Sequence, residues 1–391
     1  MSHRRCVAQA LRAILIALTL IAALPAQESI QPDPNTATAA EQRLAGESLI
    51  AQAALQAELD EFDAAESTYL EGIDLLTSAD GEFAPSLIRA YRGLARVFAA
   101  RGDYAEAVTV LEQARHISHR NFGLFNLDQA ELLEDLSAVY DDAGDTREAQ
   151  ETQREILDVA VRHFGSEQAG VIPYYYRLAE YYDRARMRAR AREQYVTVLE
   201  ILAEDPQAQP GDALKPLREL LRIDTITGET SPARDRLIEA LAGRTDAAAM
   251  ERAEALAALG DAALADGETE MSVQYYRDAY RTLAAFDNAA AESYFAAPRM
   301  INFVPPPGPV DFGRRARRPY AWGSITARFA LSDGGRATQI EILNSDPPGL
   351  MDAGYARRLA EAVFRPRMVG GEPVATPRLR YTHTFRYFVE E

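Results

Sequence analysis

Cysteine is almost missing from this sequence. The only one, Cys6, lies in an N-terminal stretch that reads as a secretory signal. A mature chain without cysteine excludes disulfides, even in an oxidising compartment. It also excludes thiol catalysis and thiolate-held metals. A basic surplus is missing too: the 391 residues carry a net charge of −17, with a pI near 4.9. That argues against general nucleic-acid binding, which needs cations to neutralise phosphates. Catalytic signatures are absent. There is no glycine loop ending in Lys-Ser/Thr, no Gly-x-Ser-x-Gly and no His-Glu-x-x-His. Carboxylates are too abundant for any pair to stand out as an acid/base couple. His116 and His119 are three apart with no obvious third ligand, so they read as a surface pair. His383 reads as an ordinary strand residue. These absences speak for a protein that is not an enzyme and needs no cofactor or metal.

Long apolar runs are scarce as well. Ala13 to Leu24 is one run of 12 residues; counted from Val7 it reaches 18, with Gln9 and Arg12 as interruptions. A membrane span needs about 20. His3, Arg4 and Arg5 precede the run, and Pro25-Ala26 follow it. Residues 1–26 therefore read as a signal peptide cleaved before Gln27, with an uncleaved inner-membrane anchor as the alternative. Residues 27–40 hold Pro32, Asp33, Pro34 and Asn35 and few large apolar side chains, which predicts a disordered lead-in.

What is present is a period. Ala65, Ala107, Ala149 and Ala191 stand 42 residues apart. Each ends a similar string, as in Gly102-Asp103-Tyr104-Ala105-Glu106-Ala107 and Gly144-Asp145-Thr146-Arg147-Glu148-Ala149. A further step of 42 reaches Gly228 and Ala233, and a step of 39 reaches Gly267 and Ser272. Around these marks apolar residues recur at three and four. Tyr91, Leu94, Ala95 and Phe98 precede Gly102, and Ala107, Leu111 and Ala114 follow it. That spacing predicts paired amphipathic helices with a turn between them, about six pairs over residues 41–286.

The pattern of small and aromatic positions resembles the tetratricopeptide repeat, and the 42-residue step resembles the long-helix variant of kinesin light chains. The resemblance implies an α-helical superhelix that holds partners rather than reacts with them. Arg186 departs from the pattern, standing where the turn glycine is expected. In this family helix-A positions 2, 5 and 9, counted with the signature alanine as position 20, build the groove wall. They fall on Arg89, Arg92 and Arg96 in repeat two and on Lys215, Arg218 and Arg222 in repeat five. Repeat three gives Glu131 and Glu134, repeat four Tyr176 and Glu180, and repeat six Glu254 and Asp261. Two basic patches thus interrupt an acidic groove. They can grip a carboxylate or an acidic peptide. Alternatively, they pair with acids of the neighbouring repeats.

Residues 287–318 read as a Pro/Arg-rich linker through Val304-Pro305-Pro306-Pro307-Gly308-Pro309 and Arg314-Arg315-Ala316-Arg317-Arg318. Charge changes sign near there. Residues 1–298 hold 28 basic against 50 acidic side chains, and residues 299–391 hold 14 against 9. The hydrophobic period then becomes two. Gly323, Ile325, Ala327, Phe329 and Leu331 alternate with polar or small residues, Asp333-Gly334-Gly335 makes a hairpin turn, and Ala337 to Leu343 returns. Asp352 to Phe364 reads as a helix, and Leu379, Tyr381, His383, Phe385 and Tyr387 as a last strand.

This small α+β domain over residues 319–391, strand-strand-helix-strand, resembles the TonB C-terminal domain. The likeness rests on Gly323-Ser324-Ile325-Thr326, Ile340-Glu341-Ile342-Leu343-Asn344-Ser345, Leu350-Met351-Asp352, Phe364-Arg365-Pro366 and Gly370-Gly371-Glu372-Pro373-Val374. It implies docking by strand addition along the Leu379–Tyr387 edge. Together these readings predict a periplasmic adaptor with protein or peptide partners in the cell envelope, an outer-membrane transporter among them. The alternative is an inner-membrane-anchored TonB-family energy transducer acting in transport.

Overall fold

The computed structural model describes residues 34–229, 232–242, 248–306 and 320–388. The stretch expected to be a signal peptide, residues 1–26, and the Arg314–Arg318 cluster lie outside them. Among the described residues no helix is long and apolar enough to cross a membrane. The chain divides into two compact units, Met1–Ala149 and Gln150–Glu391.

The first unit is built from helix pairs. They are α1 (Pro34–Glu58) with α2 (Phe62–Asp80), α3 (Ser86–Arg101) with α4 (Tyr104–Phe122), and α5 (Gln129–Ala143), which leads into α6 (Thr146–Phe164). Helix α1 starts inside the expected lead-in. Pro34 suits a first turn, where its missing N–H costs nothing, and the run Thr36-Ala37-Thr38-Ala39-Ala40 carries the helix forward. The core holds Tyr69, Leu76, Leu87, Leu94 and Ile117.

The 42-residue step is a backbone feature. The residue that opens each turn is left-handed: Asp60, Gly102, Gly144, Arg186, Gly228 and Gly267 have φ of 61°, 84°, 84°, 60°, 73° and 84°. The next residue then donates its N–H back over the helix end, as in Asp103 to Phe98 O (2.9 Å), Asp145 to Tyr140 O (2.8 Å) and Met187 to Tyr182 O (2.8 Å). This bond closes a Schellman turn. Arg186 therefore adopts the glycine conformation without being glycine. Five residues after each turn opener sits a side chain at or near zero exposure: Ala65, Ala107, Ala149, Ala191, Ala233 and Ser272. Only a small residue fits where two helices meet this closely.

The second unit continues with α7 (Ile172–Arg184), α8 (Arg188–Glu204), α9 (Leu214–Thr227), α10 (Ala233–Ala242), α11 (Ala249–Ala265) and α12 (Thr269–Phe286). The expected linker does not begin at residue 287. Helix α13 (Asn288–Tyr294) and strand β1 (Arg299–Asn302) fold there instead. Asp287 starts the helix by accepting the Ala289 N–H at 2.9 Å. Phe295 then buries itself against Tyr276, Tyr280 and Tyr294. Burial of this aromatic cluster outweighs the flexibility expected of a boundary.

The remainder is β2 (Tyr320–Leu331), β3 (Ala337–Asp346), α14 (Asp352–Glu361), β4 (Val363–Arg365), β5 (Arg367–Val369), β6 (Glu372–Val374) and β7 (Thr376–Phe388). The helix stops at Glu361, short of Phe364. Pro366 disfavours helical geometry at Arg365, and β4 is drawn into antiparallel pairing with β1, Arg299 opposite Arg365. Strands β2, β3 and β7 form one antiparallel sheet in the order β3-β2-β7. Ile325, Ala327, Phe329 and Leu331 of β2 are buried with Tyr355 and Leu359 of α14, as their alternation requires.

Candidate interaction cleft

The groove positions separate into the two units. In the first, Arg92 donates to Glu131 (2.8 Å) and to Asp135 (2.5 Å), and Arg96 lies 3.5 Å from Asp135. Burial opposes the Arg92 charge; hydrogen bonds to Asp135 and Glu131 outweigh it and raise its pKa. Arg89 is exposed.

In the second unit, Lys215 bonds Glu180 (3.2 Å) and lies over the Tyr176 ring at 4.2 Å. Arg218 pairs with Glu254 and with Glu219 (3.1 Å). Arg222 pairs with Asp183 (2.7 Å) and Glu219 (2.8 Å). Burial works to raise the Glu219 pKa, but the Arg222 and Arg218 guanidiniums hold it below the ordinary value. Both patches therefore carry ion pairs reaching across neighbouring repeats, which is the second of the two readings open from sequence. Burial raises the pKa of Tyr176 and Tyr195 beside them, so both phenols stay neutral.

One charge contact in this unit, built on a buried arginine, is not visible in the sequence. Arg365 of β4, only 4 % exposed, grips Asp261 of α11 with two bonds, at 2.8 and 2.5 Å. It also donates to the Tyr294 hydroxyl at 3.1 Å, and Tyr276 donates to Asp261 at 2.9 Å. The rings of Tyr276, Tyr294 and Phe295 surround the guanidinium at 5.5–5.9 Å. Burial opposes the Arg365 charge, and the Asp261 carboxylate more than restores it. Asp261 was read as a groove residue and Arg365 as part of a motif. Nothing in the sequence joins two positions 104 apart.

Arg365 also lines a cleft of about 230 Å³ with Arg218, Glu219, Arg222, Glu254 and Asp261 on one side and Arg299, Met300 and Ile301 on the other. A second hollow of about 340 Å³ shares Arg218, Glu219 and Arg222 and reaches Glu180, Asp183, Arg184 and Lys215. The two form one charged trough along α7, α9 and α11. Arg299 belongs to the stretch whose composition predicts a linker, and the strand that carries it has no signal of its own in the sequence.

The proposed docking edge is placed differently from its side chains. Strand β7 is paired with β2 alone among the described residues, so its outer edge carries free backbone groups. Phe385 is buried; Leu379, Tyr381, His383 and Tyr387 are half-buried. They pack on the helix-covered face rather than at the edge. His383 stacks on Tyr355 at 5.8 Å, and Phe303 wedges against Tyr355, Tyr381 and His383. Of the other histidines, His119 bonds Gln129 at 2.7 Å and His116 meets the Phe83 ring edge-on.

Residues 44–118 and 89–160 match the tetratricopeptide repeat. Such repeats present surfaces to other proteins, so protein–protein interaction is the coarse function of this region. Solved structures give the same kind of likeness. One holds nearly identical TPR-like repeats ascribed to a Podosopora anserina kinesin light chain: 22% identity, 52% of this chain and 98% of that one covered, TM-score 0.39. Another is BtubC (BKLC) from P. vanneervenii, at 19% identity, 59% and 92% coverage and TM-score 0.42. A third is Pseudomonas aeruginosa pilF, at 15% identity, 66% and 99% coverage and TM-score 0.35. None of these scores reaches a level at which shape or function transfers. No curated protein matches the chain.

Proposed function

We propose that the protein is a non-enzymatic adaptor of a bacterial cell envelope, exported to the periplasm. Its tetratricopeptide repeats hold a protein or peptide partner. Its C-terminal α+β region, TonB-like in sequence, docks on an envelope partner by adding a strand to β7. The observation that carries this is the 13-residue β7, paired on one side only among the described residues. A long open edge is an invitation to a further strand. The antiparallel order β3-β2-β7, with α14 between the second and third strands in sequence, supports the same reading.

Fractionation with sequencing of the mature N-terminus tests the location. A start near Gln27 in the soluble periplasmic fraction is expected. An intact N-terminus in the inner-membrane fraction would replace the adaptor with the anchored transducer. Crosslinked capture from envelope extracts tests the partner. Removing residues 379–391 should abolish docking, with circular dichroism confirming that the repeats stay folded.

A further inference from the structure

The trough has a wall that the repeats do not supply. Arg299, Met300 and Ile301 of β1 all line it. Side chains alternate across a strand, so three consecutive residues can face one space only if the strand's edge faces it. The other edge of β1 is taken by β4. Among the described residues no strand pairs with the remaining edge of β1, so backbone groups there look into the trough.

Charge there is out of balance. Arg299 and Arg365 are directly opposed across the β1–β4 pair, so their side chains share one side. Asp261 answers one of them, Arg365, with both oxygens. Arg299 is exposed and has no ion-pair partner among the described residues. At the far end Arg184, also exposed, is in the same position. Between them Lys215, Arg218 and Arg222 are each matched by carboxylates. A chain with net charge −17 thus keeps a spare cation at each end of one trough. At a diameter of about 10 Å per helix with its side chains, a trough running across α7, α9 and α11 sets its two ends on the order of 20 Å apart, the length of about six extended residues.

We propose that this trough binds an acidic peptide segment in extended form, added as a strand to the open edge of β1, with one carboxylate on Arg299 and another on Arg184. The assignment rests on the interaction reading above but places the site on β1 as much as on the repeats. It is distinct from docking on β7.

The test is fluorescence anisotropy on the full chain with a labelled hexapeptide of alternating Glu and Leu. A Lys/Leu peptide of the same length is the control. The Glu/Leu probe should bind and the Lys/Leu probe should not. Arg299→Glu should weaken the Glu/Leu probe tenfold or more, Arg299→Lys should keep it within about threefold, and Arg184→Glu should weaken it less than Arg299→Glu. Arg89→Glu, in the other unit, should leave it unchanged. Circular dichroism checks that each variant is folded; Arg299 is exposed and tolerates exchange. Equal binding of the two peptides, no binding of the Glu/Leu probe, or an indifferent Arg299→Glu would overturn the proposal. A one-Glu tripeptide binding as tightly as the hexamer would overturn the extended ligand. Capture of envelope partners that survives Arg299→Glu would leave the adaptor reading standing and remove this site alone.

Discussion

Two arginines make the instructive comparison. Arg92 in the first unit and Arg365 in the second each hold an aspartate on a repeat helix. Arg92 is one fifth exposed and spreads its bonds over Asp135 and Glu131, a step of about one repeat away. Arg365 is buried, bound by two parallel bonds to a single carboxylate, and capped by tyrosines. The first contact is a by-product of stacking similar repeats. The second joins elements of different period, helix and strand, and fixes one on the other. Partial exposure makes the first tolerant; burial makes the second all-or-none.

The largest expected effect follows from that contrast. Arg365→Ala empties a buried guanidinium site and strips the partly buried Asp261 of its two bonds, and should cost the second unit about 3 kcal/mol in chemical denaturation. Arg92→Ala should cost about 1 kcal/mol. Equal losses would break the comparison. The double change Asp261→Leu with Arg365→Met should cost less than Arg365→Ala alone, because it removes both charges together. Next in size, Gly260→Ala drives a methyl into the Tyr276 ring, and Gly93→Ala drives one into Tyr69. Each should lose about 1–3 kcal/mol, with Gly260→Ala at the upper end because Tyr276 also serves Asp261. A gain of about 0.5–1 kcal/mol is expected for Arg186→Gly, which relieves a left-handed non-glycine residue.

The smallest effect is acid sensitivity of the C-terminal sheet. Burial holds the His383 pKa below its ordinary 6.5, with Arg186 adding a minor push in the same direction. The unfolded chain then binds the proton more readily, so stability is full above about pH 6.5 and falls as pH drops through the lower folded value. Melting temperatures between pH 7.5 and 5 should fall less for His383→Phe than for the native protein. Parallel curves would mean that His383 does not titrate in this window.

Much of the fold was legible because repetition repeats its causes. A left-handed turn, a Schellman bond and a close helix contact each demand a residue type, and the demand recurs every 42 residues. Asp60 and Arg186 show the limit, since the turn persists where its glycine is gone. Alternation placed the inward face of β2 correctly because one face is buried and the other is not. The trough was half legible. Lys215, Arg218 and Arg222 came from the register, whereas Arg299 and Arg365 came from a stretch with no period of its own. Proline and charge at residues 304–318 hid the short helix and strand before them. What made those elements fold was an aromatic cluster, Phe295 with Tyr276, Tyr280 and Tyr294, assembled from two helices.

Arg365 stands in the trough wall and in the joint at once. Any occupant of the trough rests against the pair β1–β4, so binding and local opening of that pair draw on one free energy. A ligand at 100 times its dissociation constant would hold the pair closed by about 2.7 kcal/mol more than the empty protein. Hydrogen exchange of the amides that bond β1 to β4 would then slow by about two orders of magnitude, which makes that pair a gauge of occupancy.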